Sequence, residues 1–77
     1  MEKYFVKYAG TKLMYRGEDA IDALEKFKNR MFFGEKMVKS CSIIKEGKWN
    51  KGKTFWVYCK CVFSTGKVRY VLIEQEM

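Results

Sequence analysis

Between Thr54 and Phe63, the residues Phe55, Val57, Cys59, Cys61 and Phe63 alternate with Trp56, Tyr58, Lys60 and Val62. Apolar side chains at every second position have the period of a β-strand with one face against a core. This stretch predicts a central strand. Elsewhere the 77 residues hold more strand signal and a single helical one. Tyr4–Tyr8 and Lys12–Arg16 read as a hairpin turning through Ala9-Gly10-Thr11. Met37–Lys45 and Lys67–Glu74 read as further strands, separated by loops at 46–53 and 64–66. From Glu18 to Phe33, the residues Ala20, Ile21, Leu24, Phe27, Lys28 and Met31 recur near one helical stripe. Glu18 and Asp19 open that helix and Gly34 caps it. The expectation is a small α+β domain over residues 1–77, ordered β-β-α-β-β-β, with one helix on one face of a mainly antiparallel sheet.

One helix cannot cover both faces of five strands, so one face is left open. Strand parity divides the residues between the two. Tyr4, Val6, Tyr8, Leu13, Tyr15, Phe55, Val57, Cys59, Cys61, Phe63, Val68, Tyr70 and Leu72 form the more apolar set, predicted to meet the helix. Phe5, Lys7, Lys12, Met14, Arg16, Trp56, Tyr58, Lys60, Arg69, Val71 and Ile73 form the other. A slip of one residue exchanges the faces of a strand, so this division depends on register. The second set mixes aromatic and basic side chains. In chemistry it resembles the platforms on which open sheets bind single-stranded nucleic acid, although no RNP-type motif is present. A second layer or a dimer partner over Trp56 is the structural alternative.

Charge is concentrated in the C-terminal half. The chain carries a net charge of +7, and residues 36–77 supply nearly all of it. Lys36, Lys39, Lys45, Lys48, Lys51 and Lys53 are accompanied between 36 and 53 by one acid, Glu46. A lysine cluster of this density suits a phosphate backbone, and it also serves solubility. Trp49 lies within it on a glycine-flanked loop, as a stacking group or a protein anchor would.

Several classes of function are set aside by what the chain lacks. The chain has no His, which removes the common base near neutral pH and any Ser/His or Cys/His pair. Its Gly residues stand singly, without a phosphate loop. Three Cys are too few for a four-ligand zinc site unless a carboxylate joins them. These features predict a protein that is not an enzyme and has no metal or cofactor. The cysteines are expected to be reduced thiols used as small core residues, with Cys41 within reach of one of the others across strands. No segment has the roughly 20 apolar residues of a membrane span, and the start of the chain has no signal-peptide pattern. A cytoplasmic protein is the expectation. A hydrophobic fraction of 48% with 17% aromatic residues is too high for intrinsic disorder.

The hairpin-then-helix segment, with Gly17-Glu18-Asp19-Ala20 leading into Leu24-Glu25-Lys26-Phe27, resembles many small phage and ribosome-associated α/β proteins. The pattern is generic and covers less than half of the chain. Together these features predict a basic, non-enzymatic module that contacts DNA or RNA. The predicted contact residues are Lys36, Lys39, Lys45, Lys48, Trp49, Lys51, Lys53, Trp56, Tyr58, Lys60 and Arg69. The alternative is a phage-type inhibitor or adaptor that uses the same surface on an acidic or nucleic-acid-binding host protein. A homodimer joined through an edge strand is a third arrangement.

Overall fold

The computed structural model describes residues 1–30 and 37–76. The elements run β1 (Glu2–Tyr8), β2 (Thr11–Gly17), α1 (Ala20–Arg30), β3 (Val38–Lys48), β4 (Thr54–Phe63) and β5 (Val68–Gln75). The five strands form one sheet in the order β2-β1-β5-β4-β3, and every pairing is antiparallel. This is the expected small α+β arrangement, with the final strand inserted between β1 and β4. The expected helix end at 31–33 and the Gly34 cap lie outside the described residues, as does Lys36.

Local chemistry sets the boundaries. Tyr8 pairs with Thr11, leaving Ala9 and Gly10 as a two-residue turn with φ of 45° and 79°. Both values are positive, as the hairpin turn that matches strand twist requires. Helix α1 starts one residue after its cap. Asp19 Oδ1 accepts a hydrogen bond from Asp22 N–H at 2.8 Å, and Asp22 Oδ2 accepts one from Glu18 N–H at 2.9 Å. The first bond satisfies an amide that the first helical turn leaves unpaired, and the second ties the residue before the cap to the helix. The bond from Glu18 is the main reason the Asp22 carboxyl titrates below its usual range, against a smaller opposing effect of desolvation.

The helix packs its Ala20, Ala23, Leu24 and Phe27 stripe on the sheet. There it meets Tyr4, Val6, Val57, Cys59, Cys61, Phe63, Val71 and Ile73, all buried. Tyr8 and Tyr15 flank the Phe27 ring, with centroids 5.7 and 6.3 Å away. Burying these rings and branched side chains is the main stabilising contribution, about 1.5–3 kcal/mol for each large side chain.

Register corrects the parity of one strand. Val71 pairs with Cys59 and Ile73 with Val57, so both join the core, while Val68, Tyr70 and Leu72 face the other way. The same register sets Arg69 opposite Cys61, on the helix side rather than the open side. The sequence 68–73 is apolar at both parities, so its own alternation cannot choose a face. Strand β3 is also longer than expected. It runs on through Glu46, Gly47 and Lys48 by pairing with β4 across register shifts near Ser40, Lys45 and Lys48.

The cysteines require a second correction. Cys41 and Cys61 are direct partners in the β3–β4 ladder, with Cα atoms 4.1 Å apart, and their sulfurs form a disulfide. An antiparallel ladder brings facing residues this close where the pair is not hydrogen-bonded. Cys59 is the free thiol. It is fully buried, and desolvation pushes its pKa up to about 11.

Candidate nucleic-acid interface on the open sheet face

The sheet face away from α1 is built in rows, because residues paired across strands share a face. One row crosses all five strands as Met14, Phe5, Glu74, Trp56 and Gly47. The next crosses them as Lys12, Lys7, Leu72, Tyr58 and Lys45. A third, shorter row holds Tyr70, Lys60 and Ser42. Beyond the first row, on the other side, Lys3 pairs with Arg16. The buried core with α1 lies on the opposite face, and here Met14, Tyr58 and Tyr70 are exposed.

The aromatic centre of the face is ordered by its neighbours. Tyr58 and Tyr70 lie with ring centroids 6.0 Å apart and planes within 18° of parallel. They are 36% and 55% exposed. Trp56 is half-buried, and its indole lies across Gly47. A Cβ at that glycine would sit 2.0 Å from Trp56 Nε1, so only a glycine leaves the space the ring occupies. Part of the burial of the indole thus comes from the backbone of the adjacent strand.

Cations surround these rings. Lys12 Nζ lies 4.2 Å from the Phe5 ring centroid, a cation–π contact that holds the amine over the face. Lys7 is ion-paired with Glu74, the acid on this face of the strands. Arg16, Lys45 and Lys60 add positive charge without a carboxylate opposite them in register, whereas Lys3 lies opposite Glu76, whose N–H donates to the Lys3 carbonyl.

The lysine cluster around Trp49 is divided by the fold. Lys48 lies 3.5 Å from Glu46, and Lys53 lies 3.5 Å from Glu2. Lys39 and Lys51 are exposed. Trp49 stands at the β3–β4 turn with its ring stacked on Phe55, centroids 4.2 Å apart, and is 47% exposed. Of the residues expected from sequence, Lys45, Trp56, Tyr58 and Lys60 come together on one face. Lys48, Trp49, Lys51 and Lys53 collect at the neighbouring turn, and Arg69 lies on the opposite side of the sheet.

The expected contact set omitted the whole contribution of the N-terminal hairpin, Lys3, Phe5, Lys7, Lys12, Met14 and Arg16, and it also omitted Tyr70, Leu72 and Gly47. Tyr70 and Leu72 were hidden by the ambiguous parity of β5. Gly47 was hidden because a glycine between Glu46 and Lys48 reads as loop, and only its pairing with Trp56 gives it a role. No protein-family model, curated protein or solved structure matches the chain. Among the described residues, no helix is long and apolar enough to cross a membrane.

Proposed function

We propose that this protein is a non-enzymatic module that binds nucleic acid on its open sheet face. The observation that carries this reading is the combination in a single row of lysines at both ends, Lys12 and Lys7 on one side and Lys45 on the other, around Leu72 and Tyr58. Lysines supply phosphate neutralisation with counterion release, and exposed rings supply stacking for bases. Large aromatic surfaces held in a field of positive charge mark an interaction site, and the partner that satisfies both properties is a polyanion bearing planar groups. The contact surface draws on both halves of the chain, since Lys3, Lys7, Lys12 and Arg16 come from the N-terminal hairpin.

A salt series tests this. Binding of mixed-sequence oligonucleotides should weaken steeply as salt rises. Lys12→Gln, Lys45→Gln and Lys60→Gln should each lower the log–log slope by about 0.7–0.9. Absence of binding at low salt would end the proposal. A discrete acidic protein retained after nuclease treatment, and lost on Trp49→Ala, would favour the inhibitor or adaptor reading instead.

A further inference from the structure

We infer that the nucleic acid taken by this face is a single strand, with its bases stacked on Tyr70 and Tyr58 and its phosphates met by the flanking lysines. This inference rests on the nucleic-acid reading above and names the form of the polymer. A duplex keeps its base faces inside the stack and offers a protein mainly phosphates and groove edges. Exposed rings that lie nearly parallel to one another gain little from such a partner. A single strand presents unstacked bases, whose π-faces pair with aromatic side chains with little regard for sequence.

The dimensions of the face suit a short single-stranded segment. Five strands spaced by about 4.8 Å give a width of about 19 Å across one row. Along the row of Lys12, Lys7, Leu72, Tyr58 and Lys45, an aromatic centre is flanked by amines on both sides. Tyr70 and Lys60, direct partners in the next row, place a second ring beside a second cation. Trp56 is already seated over Gly47, and it forms the end wall of the aromatic patch. A strand crossing the sheet would lay bases on rings and phosphates over lysines in alternation. The chemistry is shared by single-stranded DNA and RNA, since neither stacking nor phosphate contact requires the 2′-hydroxyl.

The experiment titrates the intact protein with mixed-sequence 12-mers of DNA and of RNA, each single-stranded and as a duplex, at low salt. The wild type should bind at least one single strand about tenfold or more tightly than the corresponding duplex, and the tighter arm identifies the source. Tyr70→Ala should weaken single-strand binding by roughly 5- to 150-fold while leaving duplex binding unchanged. Tyr70→Phe should restore most of the loss. Tyr70 is the most exposed ring of the patch, so its replacement spares the core, and an unchanged melting profile checks this. Equal or tighter duplex binding, with Tyr70→Ala silent, would overturn the inference and leave the nucleic-acid reading standing. Failure of every oligonucleotide to bind would overturn both.

Discussion

Tyr4 shows how one buried atom carries a measurable consequence. Its side chain is fully buried, and its hydroxyl has no hydrogen-bond partner among the described residues. Burial, and then the nearby carboxylates of Glu2, Asp19, Asp22 and Glu18, push its pKa up to about 12. The folded protein therefore holds this proton more tightly than the unfolded chain, whose tyrosines titrate near 10. The stability this contributes is complete below pH 10 and is lost as pH rises from 10 towards 12. Tyr4→Phe removes the unpaired group at nearly constant volume. Urea unfolding at pH 7 should find the variant equal to the wild type or up to about 1 kcal/mol more stable. Its stability should also fall less between pH 10 and 12. A loss beyond about 1 kcal/mol would mean that the hydroxyl is satisfied. Gly47 makes a different point at the same scale. The sequence shows a flexible residue among lysines, whereas the fold uses the missing Cβ as a seat for Trp56.

At the scale of the elements, β3 and β4 are joined by a covalent bond on the helix side of the sheet. Closing the 20-residue separation between Cys41 and Cys61 restricts the unfolded chain, and the loop-entropy model puts the gain at about 3 kcal/mol. Reduction should lower the urea midpoint accordingly. Cys41 and Cys61 share the face of Cys59 and Val71, not that of Tyr58 and Tyr70. Oligonucleotide affinity should therefore be the same with and without reductant at concentrations of urea where both forms are folded. Loss of binding on reduction would mean that the bridge sets the geometry of the open face. These elements also mark how far the sequence could be read. Strand β4 and helix α1 are legible because each separates apolar from polar side chains at one clear period. Strand β5 is not, since Val68, Tyr70 and Leu72 compete with Val71 and Ile73, and the partners Cys59 and Val57 decide between them. The lysine run at the end of β3 reads as loop because nothing in its own residues signals the ladder that β4 imposes. The aromatic-basic face was therefore visible in β1, β2 and β4 and incomplete in β5, and it lacked the residue with the most exposed ring.

Across the whole molecule, charge is distributed unevenly. The helix layer begins with the acidic Glu18, Asp19 and Asp22 and balances acids with lysines through Lys26–Asp22 and Lys28–Glu25, while the open face carries Lys3, Lys7, Lys12, Arg16, Lys45 and Lys60 against Glu74 and Glu76. On the proposed reading, a polyanion should approach the open face rather than the acidic N-terminus of the helix. At 9.2 kDa the protein is small enough for every methyl and aromatic side chain to be followed by NMR as an oligonucleotide is added. If the open face binds the oligonucleotide, that titration should shift the side chains of Phe5, Met14, Trp56, Tyr58, Tyr70 and Leu72 and leave Val57, Val71, Ile73 and Phe27 nearly unmoved. Shifts confined to Trp49 and the turn at 49–53, or to the helix layer, with the rings of Tyr58 and Tyr70 silent, would contradict binding on the open face.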